Sequence, residues 1–253
     1  MSTVRTLLAT RAAHLDLRLP VGNARVCVDP AARAITVMLS TPDDQGPAAD
    51  AIHRARCWED QALNIQVPEV EGGVTVVGSG GRSVYQSFGT VTGNVTGVTI
   101  VNGRVIVGGG GPLVGQITAT VTLPPTAAMV FRSVSGDLNA TDHLPALGFT
   151  STSGDLRAQS VEMLVASTVS GDVQAERVGQ HLTVETTSGD VRIGVHEGSD
   201  AAITTVSGDV RLTAGRRSSG ELSVRTVSGD IELHGTAHLA VRSSTVSGRN
   251  RRR

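Results

Sequence analysis

Thr168-Val169-Ser170-Gly171-Asp172-Val173-Gln174-Ala175 is one copy of a phrase that recurs through the second half of the chain. Its glycines are Gly136, Gly154, Gly171, Gly189, Gly208, Gly229 and Gly248, at steps of 18, 17, 18, 19, 21 and 19 residues. Self-similarity at a short, nearly constant period decides the architecture before any single element does. Serine precedes each glycine (Ser135, Ser153, Ser170, Ser188, Ser207, Ser228, Ser247). Aspartate follows six of them (Asp137, Asp155, Asp172, Asp190, Asp209, Asp230), and Arg249 takes the seventh place.

Two residues after glycine stand Leu138, Leu156, Val173, Val191, Val210 and Ile231; four after it stand Ala140, Ala158, Ala175, Ile193, Leu212 and Leu233. Asn139, Arg157, Gln174, Arg192, Arg211 and Glu232 lie between them. Alternation at period two marks a strand with one buried face. Leu182-Thr183-Val184 and Leu222-Ser223-Val224 suggest a second strand in each copy. One copy alone buries too few apolar side chains to offset the entropy of ordering it. Stacked copies hydrogen-bond to one another and seal a continuous interior. The expected fold is therefore all-β: a single-domain parallel β-helix, or solenoid, of about seven rungs, right-handed by the usual crossover preference. A propeller blade needs about 40 residues, roughly twice the step seen here.

Outward from the repeat, Ile117 to Leu123 alternates before Pro124-Pro125. Upstream of it, residues 72–115 hold 14 of the 30 glycines and only two charged residues, Arg82 and Arg104. Such a segment reads as an inserted β-arm or glycine-rich loop, or as disorder; if ordered, its β-prone runs suit edge-to-edge pairing with another chain. In the first 71 residues, Leu15-Asp16-Leu17-Arg18-Leu19, Ala24 to Val28, Ile35 to Leu39 and Ala62 to Val67 read as short strands, and Ala48 to Trp58 as a short helix or loop. The division expected is 1–71 irregular early rungs and cap, 72–115 insertion, 116–248 regular repeats and 249–253 basic tail.

Composition narrows function further. The 22 basic residues are all arginine, which excludes a phosphate-loop lysine, a Schiff-base lysine and a lysine general base. Five aromatics in 253 residues (Trp58, Tyr85, Phe88, Phe131, Phe149) leave little for base stacking, so no specific nucleic-acid binding is expected. Cys27 and Cys57 stand in no metal-ligand spacing and read as thiols. No run approaches the roughly 18 apolar residues of a membrane span, and Met1 to Pro20 does not read as a signal peptide. As written the chain is expected to be cytoplasmic; the alternative is the cell surface by a route not visible in the sequence.

The strand pair Leu17-Arg18-Leu19-Pro20-Val21-Gly22-Asn23-Ala24-Arg25-Val26, the strand Val121 to Pro125 and the tandem Ser-Gly-Asp-Val copies together resemble the bacterial putative-adhesin family of β-strand repeat proteins, first catalogued as a domain of unknown function. The resemblance spans nearly the whole chain outside residues 72–115. It implies a β-helix, no established enzymatic activity and, for some relatives, an association with the cell envelope and its stress responses. It carries no catalytic residues.

The aspartate column is the feature with most chemistry. Carboxylates stacked at about 4.8 Å repel by about 0.9 kcal/mol per pair in water, so something must offset them. The structural reading is that each carboxylate caps its own Ser-Gly-Asp turn by accepting backbone N–H bonds, screened by Arg157, Arg192 and Arg211. Calcium between rungs is a second reading, and a retaining-glycosidase pair at about 5 to 5.5 Å a third. His234 and His238 are the one close histidine pair, with metal ligation the sharper reading and an ordinary polar turn the plainer one. There is no nucleophile elbow, zincin motif or dinucleotide fingerprint. Arg249 to Arg253 reads as a solvated terminus that discourages end-to-end stacking. The function expected is a non-catalytic binding or structural scaffold, without catalytic, cofactor or metal residues. Its partner would be a protein or surface glycan, with self-association through residues 72–115 a further possibility; the alternative is a carbohydrate-active β-helix, a polysaccharide hydrolase or lyase.

Overall fold

The computed structural model describes residues 2–70 and 116–253 in full, and the backbone of 74–79, 82–87, 98–101 and 104–107 between them. Among these residues every element but one is a strand. The chain begins with β1 (Thr3–Ala9), β2 (His14–Arg18), β3 (Val21–Val28) and β4 (Ile35–Thr41). Helix α1 (Pro47–Arg54) then leads to β5 (Arg56–Glu59) and β6 (Leu63–Gln66). Two antiparallel hairpins follow, β7 (Val74–Ser79) with β8 (Arg82–Ser87), and β9 (Val98–Val101) with β10 (Arg104–Val107). The expectation that segment 72–115 pairs with another chain rests on residues that lie mostly outside those described.

The stack continues through β11 (Thr118–Leu123), β12 (Ala128–Arg132) and three long strands, β13 (Ser135–Ser151), β14 (Leu156–Ser170) and β15 (Val173–Ser188). Shorter strands complete it: β16 (Val191–His196), β17 (Asp200–Ser207), β18 (Val210–Ala214), β19 (Glu221–Ser228), β20 (Ile231–His234), β21 (Ala240–Ser247) and β22 (Asn250–Arg252).

Successive copies of the repeat pair in parallel and in register. Leu138 faces Leu156, which faces Val173, then Val191, Val210 and Ile231, each at most 1% exposed. A second ladder runs through Leu147, Leu164, Leu182, Ala201 and Leu222, all buried. The aliphatic columns thus form one interior shared by all the coils, and the protein is a parallel β-solenoid of about seven turns. Phe131 and Phe149 stack in this core with ring centroids 6.1 Å apart, where the β12 strand meets the first long one.

The early strands depart from a simple succession of rungs. β2 and β3 form a regular coil, but in space it lies between the coil built from β6 and β11 and the coil begun by β12 and β13. Beyond the β6–β11 coil the pairing turns antiparallel: β4 with β11, β1 with β4, and β5 with β6. A parallel neighbour demands a full circuit of the chain, whereas a strand that simply turns back pairs antiparallel. Helix α1 packs against β1 and β4 and buries Ala48, Ala49, Ala51 and Ile52. The Arg5 guanidinium donates to the carbonyl oxygens of Ile52, His53 and Ala55, which closes the C-terminal end of the helix.

This order also locates the glycine-rich segment. It joins β6 to β11 along the chain, whereas their partner strands β2 and β3 are joined by residues 19–20 alone. In the later coils the Ser-Gly-Asp turn makes the corresponding join.

Candidate functional site

The Ser-Gly-Asp corner is held by backbone contact between coils. A Cβ at Gly189 would lie 2.0 Å from the carbonyl oxygen of Gly171, and the same contact recurs at 2.1 Å for Gly154, Gly171, Gly208, Gly229 and Gly248. Only a residue without Cβ lets one coil settle on the next at this spacing. The serines before the glycines become solvent-exposed from Ser170 onward, while Ser135 is buried.

Each aspartate bonds the next coil rather than its own turn, which corrects the expectation of a self-contained cap. Asp137 Oδ1 accepts from the backbone N–H of Asp155 at 2.9 Å, and Asp155 Oδ1 from that of Asp172 at 3.0 Å. The pattern continues from Asp172 to Asp190, Asp190 to Asp209 and Asp209 to Asp230, each at 2.9 Å. A ladder of charge-assisted bonds therefore offsets the repulsion along the column. The second oxygens face arginines: Arg157 reaches Asp155 Oδ2 at 3.3 Å, Arg192 reaches Asp190 at 2.6 Å, and Arg211 lies 4.0 Å from Asp209.

Arg249 ends the column in a way its sequence position did not disclose. Its N–H donates to Asp230 Oδ1 at 2.8 Å while its guanidinium holds Oδ2 at 3.0 Å. The Arg249 N–H, its guanidinium and the charge of Arg251 hold the Asp230 carboxyl below the usual range. Every Oδ1 in the ladder is thus engaged, and among the described residues no three His, Cys, Asp or Glu side chains converge as a metal site. His234 faces Glu232 at 3.3 Å, whereas His238 pairs with the Ser218 hydroxyl at 3.1 Å. The two histidines thus have separate partners. Replacing Asp155 by Ala is expected to cost about 2 kcal/mol, since the Asp172 N–H loses its acceptor, and Asp155→Asn about half that. Urea unfolding of the two variants checks the order.

Outside the corner, shallow depressions run along the stack. Two that meet at Gln174 and Glu176 follow the outward row Asn139, Arg157, Gln174, Arg192 and Arg211. Another, about 370 Å3, lies on a short third face beside the two ladders, formed by His143-Leu144, Ser160-Val161 and Arg177-Val178 of successive coils, where His143 pairs with Ser160 and Ser160 with Arg177. His143 Nδ1 and the Ser160 hydroxyl share a hydrogen bond of 3.0 Å, and His143 Nε2 faces Glu162 at 3.7 Å. The Glu162 carboxylate lies over Gly179, Arg177 pairs with Glu197, and Arg217 stands at the rim. Sequence reading singled out none of these groove residues. The one signal was the 21-residue step between Gly208 and Gly229, the longest of the series. Its extra length falls between β18 and β19 and carries Arg216 and Arg217.

Beneath this face His196 is 2% exposed, and its Nδ1 has no hydrogen-bond partner among the described residues. Burial, helped by nearby His181 and opposed by Asp200, pushes its pKa down. Above pH about 6.5 the ring is neutral in both folded and unfolded chains. As pH falls through that value only the unfolded chain gains the proton, so stability declines. His196→Leu is expected to flatten this loss, read as Tm against pH from 7.5 to 5.

A crystal structure of a putative adhesin from Bacteroides fragilis is similar in fold, at 14% identity over 98% of this chain and 96% of that one, with a TM-score of 0.51. A putative cell adhesion protein from Clostridium sporogenes aligns over 99% of both chains at 9% identity, with a TM-score of 0.38. No curated protein matches the chain. The family model described as Toastrack DUF4097 matches residues 57–251, the greater part of the sequence, and the chain belongs to that family.

Proposed function

We propose that this protein is a non-catalytic scaffold of the cell envelope that binds an extended partner along the outer faces of its coils. The observation that carries the reading is the carboxylate ladder. The most reactive-looking residues of the chain, Asp137 to Asp209, spend an oxygen each on the next coil's backbone. Carboxylates tied down in this way make poor general acids or nucleophiles, which act only when poised toward a substrate. What the stack offers solvent instead is rows of amide, guanidinium and hydroxyl groups repeated at strand spacing, suited to many weak contacts in series. The adhesin name of the Bacteroides fragilis structure points the same way. Among the described residues no helix is long and apolar enough to cross a membrane.

The test is retention of the purified chain on isolated cell-envelope fractions and on a panel of neutral and acidic polysaccharides, with product release followed in parallel. Saturable retention without new reducing ends or unsaturated sugars is the expected result. Time-dependent cleavage of any polysaccharide would overturn it in favour of a carbohydrate-active enzyme.

A further inference from the structure

The groove on the third face breaks the repeat. Where the corner column places the same residue in coil after coil, this face brings six different side chains together: His143, Ser160, Glu162, Arg177, Glu197 and Arg217. Ser160, His143 and Glu162 stand in the order of a proton relay. Yet Ser160 lies on a strand paired on both sides, by β13 and by β15. The register of these strands slips beside the site, between Ala140 and His143 and between Val161 and Met163, while Ser160 itself stays in the ladder. The trio presents a hydroxyl, an imidazole and a carboxylate, groups that suit the reading of hydroxyls.

The charges narrow the ligand. Arg177 is committed to Glu197, while Arg217 makes no ion pair or hydrogen bond among the described residues. An unengaged guanidinium at the rim of a groove of about 370 Å3 matches one carboxylate in the bidentate geometry arginine favours. With Glu197 offset by Arg177, Arg217 stands against Glu162 alone, a balance that suits one negative charge better than a dianion such as phosphate. An ammonium group would suit Glu162 but would set a like charge against the unengaged Arg217. Hydroxyls both donate and accept, and so satisfy donors and acceptors alike. Insertions in a repeat protein map to loops on one face, often the binding face, and the longest coil step is the one that delivers Arg217.

We infer that this groove binds a sugar acid, a polyhydroxylated monocarboxylate of the uronate class, with Arg217 on the carboxylate and Ser160, Glu162 and His143 on the hydroxyls. The site deepens the scaffold reading and rests on it, supplying one specific contact in a multivalent surface. Among the described residues no Phe, Tyr or Trp lines the groove to stack on the sugar, so a single site binds at about millimolar strength.

Calorimetric titration or ligand-observed NMR with D-glucuronate, D-glucose and acetate tests it. Glucuronate is expected to bind at least tenfold tighter than glucose or acetate. Arg217→Ala should bring glucuronate to the level of glucose, and Glu162→Gln should weaken both sugars at least threefold; both variants lie at the surface and should keep the parent Tm. Equal affinity for acetate and glucuronate, absence of saturation by glucuronate, or an unchanged affinity in Arg217→Ala overturns the site. Retention on envelope fractions judges the scaffold separately. Retention that persists while glucuronate fails to bind removes this site alone, whereas loss of retention removes the wider reading.

Discussion

Gly189→Ala is expected to abolish cooperative folding of the repeat or to cost at least about 3 kcal/mol. Its added methyl would lie 2.0 Å from the Gly171 carbonyl oxygen and 2.7 Å from its carbon, both backbone atoms of the coil beneath. Neither can swing aside as a long side chain would. The coils must separate locally, and the Asp172-to-Asp190 bond beside them lengthens or breaks. Gly148 provides the control. There a Cβ would meet the Val130 side chain at 3.3 Å, so Gly148→Ala should cost less than about 1 kcal/mol. Thermal unfolding followed by circular dichroism separates the two, and equal melting temperatures would show that the glycine column is not a contact between coils.

The second large effect is expected at Phe149. It is 1% exposed and stacks on Phe131, in a chain with only five aromatic residues. Phe149→Ala should destabilise by about 3 to 5 kcal/mol through lost transfer energy and the cavity left behind. Phe149→Leu should cost less than half as much. The loss should appear as an early unfolding phase near β12, β13 and β2 in hydrogen exchange, because contacts in a solenoid are made between neighbouring coils. Uniform loss of protection across the whole chain would contradict a neighbour-coupled stack.

How far the sequence led depended on whether a pattern was local. The columns through Leu138 and Ala140 were legible because alternation at period two exposes the buried face directly, and the structure buries both. The strand β1 was not, since Val4 and Leu8 are about half exposed and place apolar residues on both faces. Spatial order was hidden for a different reason. Nothing in Leu15 or Leu17 says that their neighbours are Met129 and Phe131 on one side and Leu63 and Ile65 on the other.

The aspartates show the same limit at the candidate site. Residue type and spacing announced a carboxylate at every corner, and Arg157, Arg192 and Arg211 were expected beside them, where they are found. Which coil each carboxylate serves depends on stacking distance, and a lone turn does not carry that information. The third face was invisible because each coil contributes only a residue pair or so to it, such as His143-Leu144 or Ser160-Val161, too short to show alternation.

The solenoid requires successive copies to lie one above the next in register. Engineered cysteines test this directly, in a background with Cys27 and Cys57 replaced by serine. Thr183 and Ala202 are register partners on adjacent coils, and Ser223 is the partner of Ala202 one coil further on. Neighbouring parallel strands lie about 4.8 Å apart, inside the range a disulfide can bridge, and strands two coils apart do not. The Thr183→Cys/Ala202→Cys protein should form an intramolecular disulfide on mild oxidation, and Thr183→Cys/Ser223→Cys should stay reduced. A bond in the second pair, or in neither, would contradict the stack.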